Sequence, residues 1–143
     1  MPDIVHRVGI KAPAEKVFQS LSTIDGYRSW WDPDVTGNPA KGGVLTFFGS
    51  VDMKVEECKA NELVKWKCVR GSDEWMNTEV IFKLRQDGDE TFVLFTHANW
   101  KEAVEFMHHC STKWAVFMLS LRDLVERGKG HPQPDDIKIY SKG

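Results

Sequence analysis

His6 and His97 are the residues of this chain with the most chemistry to offer. Each sits on the apolar side of an alternating segment: Ile4, His6, Val8 and Ile10 share one side near the start, and Val93, Phe95 and His97 share one side further on. Imidazole titrates near neutrality, so two such rings facing an apolar space can orient a ligand carbonyl or hydroxyl, or serve as acid and base. Thr46, Glu57 and Thr78 fall on the same dry side, and each alone reads as a hydrogen-bonded core or rim residue. The run His108-His109-Cys110 has metal-ligating types, but adjacent helical side chains point about 100° apart and cannot converge on one ion. Cys58 and Cys68 belong to opposite arms of one expected hairpin and to opposite faces, which excludes a joint zinc site. Ser111 and Ser120 have no base assigned to them by spacing, and no Gly-rich phosphate loop or Gly-x-Ser-x-Gly elbow is present. The expectation is no catalytic nucleophile, no metal and no cofactor.

These residues sit in a chain of 143 residues with ordinary globular usage, 28% charged and 41% hydrophobic, enough for one domain with one core. No apolar run approaches the roughly 20 residues of a membrane helix, and the opening MPDIVHRVGIKAP lacks the features of a secretory signal. A cytoplasmic location without membrane contact is the expectation. Three cysteines without regular spacing argue for free thiols, and a net charge of -2 with both signs scattered argues against nucleic acid. Six tryptophans bring large flat surfaces suited to a core or to a pocket wall.

Several elements must position these side chains. Asp3 to Lys11 alternates as a strand; Pro13, Glu15, Val17, Phe18 and Leu21 mark a short helix, and Ser22 to Trp31 a second one stopped by Asp32-Pro33. Val44–Phe48 and Val51–Glu57 read as a hairpin around Gly49-Ser50, with Phe48 opposite Val51 and Thr46 opposite Met53. A second hairpin through residues 59–62 sets Val64 opposite Glu57, Trp66 opposite Val55 and Cys68 opposite Met53, leaving Lys54, Glu56, Lys65 and Lys67 on the wet face. Trp75–Arg85 and Thr91–Asn99 form a third around Asp87-Gly88, pairing Leu84 with Thr91, Phe82 with Val93, Val80 with Phe95 and Thr78 with His97. From Asn99 the apolar residues recur every three or four positions through Phe106, Cys110, Trp114, Phe117 and Leu121 to Val125, one long amphipathic helix with a capping box at Asn99 and Glu102 and a stop at Gly128. Its stripe must pack on the concave sheet face, burying Trp114, Phe117 and Leu121 and exposing Lys113, Arg122 and Glu126. Residues 1–128 make one domain and 129–143 a loosely packed tail.

This order, with Ile10-Lys11-Ala12-Pro13-Ala14-Glu15-Lys16-Val17-Phe18, Trp30-Trp31, Val55-Glu56-Glu57, Leu63, Trp66 and the stretch from Thr96-His97 to Trp114, resembles the START-like helix-grip superfamily. Within it the chain is most similar to the family named for the activator of heat-shock-protein-90 ATPase. The resemblance implies an α+β helix-grip fold, a curved antiparallel sheet around a long C-terminal helix with two short helices after the first strand. It also implies that the first strand lies antiparallel beside the last, which brings His6 and His97 to one end of a cavity between sheet and helix. Trp31, Trp66, Trp100, Phe106 and Trp114 are expected as apolar walls of that cavity, with Phe48, Met53, Thr78 and Phe95 from the sheet and Cys110 from the helix. The leading expectation is binding of a hydrophobic or aromatic small molecule, lipid-like or polyketide-like. A cyclase- or hydrolase-type enzyme using His6 and His97 is the alternative, and a chaperone-regulating interaction domain the third reading; self-association into a homodimer stays open.

Overall fold

The computed structural model describes residues 1–143. Chain order is β1 (Ile4–Ile10), α1 (Ala14–Ser22), α2 (Ile24–Trp30), β2 (Thr36–Gly37), β3 (Val44–Phe47), β4 (Val51–Lys59), β5 (Leu63–Arg70), β6 (Glu79–Asp87), β7 (Glu90–Ala98) and α3 (Glu105–Arg127). All strands join one antiparallel sheet in the order β1-β7-β6-β5-β4-β3-β2, curved around α3. This is the α+β helix-grip architecture. Five of its connections are hairpins or tight turns, so neighbours in sequence pair in the sheet; only β7 must reach back across the chain to β1.

β1 keeps the alternation of its sequence: Ile4 and Ile10 are buried while Val5 and Arg7 face water. Pro13 precedes the first turn of α1, where its missing N–H costs nothing, and Thr23 caps α2 by accepting the Gly26 N–H at 3.0 Å. Gly26 is required by space: a side-chain carbon there would sit 2.5 Å from the Ser20 carbonyl oxygen, so the two short helices meet backbone to backbone. α3 ends at Gly128, whose left-handed φ of 83° lets its N–H return to Leu124 O.

The β3–β4 hairpin departs from the expected register. Leu45 pairs with Met53 and Phe47 with Val51, so the loop is Phe48-Gly49-Ser50 rather than Gly49-Ser50. The slip of one residue turns Leu45 and Phe47 into the core and leaves Val44 and Thr46 on the outer face. Its cause is a long-range bond: the buried Asp32 carboxylate accepts the Phe48 N–H at 2.6 Å and holds Phe48 at φ 55°, out of the ladder. Thr46 instead donates its hydroxyl to Asp52 Oδ1 at 2.7 Å on the outer surface.

The next hairpin begins as expected, Met53 with Cys68, Lys54 with Lys67 and Val55 with Trp66, and then a bulge between Val55 and Glu57 shifts the pairing to Glu57–Lys65 and Cys58–Val64. The extra residue re-aims the strand end. Glu57 therefore leaves the dry face for a partly exposed ion pair with Lys41 at 3.6 Å, and Cys58 packs on the core. Cys58 and Cys68 thus share a face, contrary to the sequence reading, and all three cysteines are free.

β6 starts at Glu79, because residues 73–77 form turns with Asn77 at φ 65°, and the β6–β7 loop is Gly88-Asp89. Pairing is Leu84–Val93, Phe82–Phe95 and Val80–His97, two residues from the expected register; an even shift keeps every side chain on its expected face. The helix also starts later. Asn99 takes φ 71°, accepts no capping role and donates its backbone N–H to Asp3, so α3 begins at Glu105 after Val104 and spans 23 residues, about 35 Å. Trp114, Phe117 and Leu121 are buried and Glu126 is exposed, but Lys113 and Arg122 are only half-exposed.

The register predicts unequal costs for two neighbouring truncations. Phe47→Ala should destabilise by about 3–5 kcal/mol, and Val44→Ala by no more than about 0.5 kcal/mol, in urea unfolding at neutral pH. The reverse ranking would restore the two-residue loop.

Candidate functional site

The face of α3 turned to the mouth of the grip carries Phe106, His109, Cys110, Lys113, Trp114 and Phe117, spaced three and four apart. Opposite stand Trp31 at the end of α2, Phe48 from the β3–β4 loop and Trp75 from the turn before β6. Together they bound a cavity of about 250 Å3, open to solvent along one side. Trp31 is the hub of its wall: its ring lies 4.3 Å from Phe47, 4.9 Å from Trp114 and 5.2 Å from Phe48, centroid to centroid. Trp75 stacks on Trp114 at 6.2 Å and an interplanar angle of 16°.

The remaining lining comes from the tail: Gln133, Asp136, Lys138 and Gly143. Residues 129–143 are fastened, not loose. The Gln133 N–H donates to Trp31 O at 3.0 Å, and the His131 N–H donates to Ser120 Oγ at 2.6 Å while that hydroxyl donates to Trp30 O at 2.9 Å. His131 also meets Asp123 at 3.2 Å. Asp136 is buried and binds Lys113 of α3 through its carboxylate, with Lys138 on its other oxygen at 3.1 Å. Burial alone would raise the Asp136 pKa; the two ammonium groups outweigh it and hold the carboxyl below the ordinary 3.8. This pairing is why Lys113 is half-covered.

Five of the residues expected at a site line the cavity: Trp31, Phe48, Phe106, Cys110 and Trp114. Met53, Trp66 and Phe95 are fully buried in the core beneath it. His6, Thr78 and His97 are engaged elsewhere. β1 does lie antiparallel beside β7, with Ile4 opposite His97 and His6 opposite Phe95, so the two histidines are diagonal neighbours on one face. Their bonds diverge. His6 donates Nε2–H to the Ser111 carbonyl at 3.0 Å, tying β1 to α3 outside the cavity lining.

His97 sits in a chain of hydrogen bonds whose direction is fixed. The Trp114 indole can only donate, so His97 Nδ1, 3.1 Å away, accepts and carries no proton. Nε2 therefore bears the hydrogen and donates to Thr78 Oγ1 at 2.8 Å, and the Thr78 hydroxyl donates onward to Trp75 O at 2.6 Å. Both ring nitrogens are used and the ring is fully buried. Burial also pushes the imidazole from 6.5 down to about 3, keeping it neutral. With no free lone pair or proton, His97 holds the two tryptophans of the cavity wall in place.

Two other groups complete the chemistry. The Cys110 thiol is pushed up to about 11, chiefly by burial, and stays protonated. The buried Trp75 indole N–H faces the Cys110 sulfur, a contact that partly opposes the effect of burial on the thiol. Sequence reading missed Trp75, Lys113, Asp136 and the tail. Trp75 was visible only as a strand residue, and no local pattern announces that a tail returns over a helix formed more than twenty residues earlier.

The family model for Activator of Hsp90 ATPase homolog 1-like protein matches residues 11–126. Among solved structures, the Aha1 dimer from Colwellia psychrerythraea is 44% identical, with 91% of this chain and 100% of that one covered and a TM-score of 0.81. CalU16 from Micromonospora echinospora is 20% identical, covering 92% of this chain and 77% of that one, TM-score 0.77. DynU16, a putative protein of the dynemicin biosynthetic locus, is 15% identical over 90% of this chain and 48% of that one, TM-score 0.76. The latter two share the fold. No curated protein matches the chain.

Because His97 stays neutral when folded but titrates near 6.5 when unfolded, the unfolded chain gains a proton that the folded chain refuses as pH falls. Its contribution is present above pH 6.5 and is lost between 6.5 and about 3, at up to about 1.4 kcal/mol per pH unit. Urea titrations from pH 7 to 4 should show this loss. His97→Gln should flatten that branch while lowering stability at pH 7 by about 1–3 kcal/mol, the cost of the stranded indole and hydroxyl.

Proposed function

The chain belongs to the family of Activator of Hsp90 ATPase homolog 1-like proteins, and from that premise we propose that it binds a small aromatic molecule in the cavity between α3, Trp31 and the tail. The observation carrying this reading is the wall itself: Trp31, Phe48, Trp75, Trp114 and Phe117 surround one open volume of about 250 Å3, just below the roughly 300–1,000 Å3 range of small-molecule sites. A volume of that size suits two fused rings better than an extended lipid chain. The structure from the dynemicin biosynthetic locus shares the fold that encloses such a volume. Against an acid-base mechanism stands the engagement of both His97 nitrogens, and His6 is spent on Ser111. Binding asks for nothing more than the surface already present.

The test is a titration with 2-naphthalenemethanol, followed by quenching of the tryptophan fluorescence that Trp31, Trp75 and Trp114 contribute. Saturable quenching is expected, and Cys110→Phe, which fills the cavity from α3, should weaken it at least about tenfold while costing about 1–3 kcal/mol of stability from overpacking. Absence of saturation, or a Cys110→Phe variant that binds like the parent, overturns the proposal. Native mass spectrometry of freshly purified protein should retain a bound aromatic species. A structure described as a dimer in a 44% identical relative further leads us to expect homodimers, which sedimentation velocity would report as twice the chain mass.

A further inference from the structure

We propose that residues 134–143 form a hinged flap, latched by Asp136 on Lys113, whose displacement joins the cavity to a groove along α3 and admits aromatic molecules larger than two fused rings. The inference rests on the binding role proposed above and adds the size class of what is bound.

The root of the tail is clamped. A side-chain carbon at Gly130 would collide with the Ser29 carbonyl oxygen, and the bonds from the His131 and Gln133 N–H groups to Ser120 Oγ and Trp31 O hold the residues that follow. Beyond Gln133 the attachment changes character. Residues 134–143 bond mainly to themselves and to their root: the Asp135 N–H donates to Pro132 O at 2.8 Å, the Ile139 N–H to Gly143 O at 3.0 Å and the Lys138 ammonium group to Pro134 O at 2.6 Å. Every hydrogen bond they make to the helices or the sheet ends on one side chain, Lys113, which donates to the Asp136 carboxylate and, at 3.3 Å, to Ile137 O. The Tyr140 ring adds an edge contact with His109 at 5.6 Å, while Ile137 and Tyr140 are 69% and 56% exposed. A segment clamped at one end and held beyond it by a single ion pair opens locally without disturbing the sheet.

The two sides of the flap show what opening does. Lys138 and Gly143 line the cavity, whereas Ile139 and Tyr140 line a second, open volume of about 590 Å3 together with Glu105, Phe106, His108 and His109. Both volumes border Phe106 and His109, and residues 138–143 stand between them. Swinging the flap outward leaves one trough along α3, with Trp31, Trp75 and Trp114 at its inner end and Phe106 and His109 at its outer end. Such a trough fits an extended polycyclic molecule that the closed cavity excludes. A ligand that needs the open form binds with its intrinsic affinity reduced by the open fraction, and one that fits the closed form does not. The flap thus sorts ligands by size.

Tryptophan quenching at pH 7.5 with 2-naphthalenemethanol and with 1-pyrenebutanol, whose four fused rings and butyl arm overfill the closed cavity, separates the two cases. Asp136→Asn, which removes the latching charge, should tighten 1-pyrenebutanol about fivefold and leave 2-naphthalenemethanol within about twofold. Lys113→Arg keeps the latch and should bind both probes as the parent does, with thermal melts recorded for each variant. Trypsin cleavage after Lys138 reads the flap itself, because its rate follows the open population. Cleavage should be faster in Asp136→Asn than in the parent, and saturating 1-pyrenebutanol should speed it where 2-naphthalenemethanol does not. An Asp136→Asn effect equal on both probes, no 1-pyrenebutanol binding by a protein that binds 2-naphthalenemethanol, or cleavage that 1-pyrenebutanol slows or leaves unchanged overturns the flap while the aromatic-binding role stands. Failure of both probes overturns that role and this inference together.

Discussion

The chain of hydrogen bonds from Trp114 through His97 and Thr78 to Trp75 O is the constraint on which the rest of the site depends. It joins three separate pieces, α3, β7 and the turn before β6, through donors and acceptors that can be satisfied in one arrangement only. A buried imidazole is costly unless both nitrogens are used, so the chain is stable as a unit and poor in parts. Because Trp114 is fixed from the sheet side, Trp75 can stack against it and the cavity acquires a rigid rear wall without any residue of that wall being fully fixed by its own element.

The front wall follows from a second polar anchor in an apolar setting. Asp32 is fully buried, yet its carboxylate takes the Phe48 N–H and the Asp34 N–H. The first bond stops the β3 ladder one residue short, which sends Phe47 into the core beneath Trp31 and Phe48 to its rim. Thus one carboxylate decides which of two adjacent phenylalanines is core and which is cavity. Trp31, held between them and Trp114, inherits its position from both anchors.

Much of this was legible in the sequence because it depends on period. The alternation in β1, the Met53–Cys68 and Val55–Trp66 pairs and the stripe on α3 through Trp114, Phe117 and Leu121 all follow from where apolar residues recur. The two-residue shift at β6–β7 did no damage to the assignment of faces, whereas the one-residue shift at β3–β4 did, and its cause lies sixteen residues away at Asp32. The bulge after Val55 likewise reversed Glu57 and Cys58 without a local signal. At the site, the aromatic wall was readable as types and the polar rim was not. Lys113 looks like a solvated helix position until the tail brings Asp136 over it, and His97 looks reactive until its neighbours are known.

The tail that closes the cavity lies beyond residue 126, where the family match ends. Part of the polar face of the cavity is therefore written on a different stretch of the gene from the scaffold. Substitutions in 133–138 alter what the cavity presents without touching the sheet or the hydrophobic stripe of α3. The closing segment can thus change while the grip stays the same. Proteins alike over the matched region need not, on this account, be alike in what they hold.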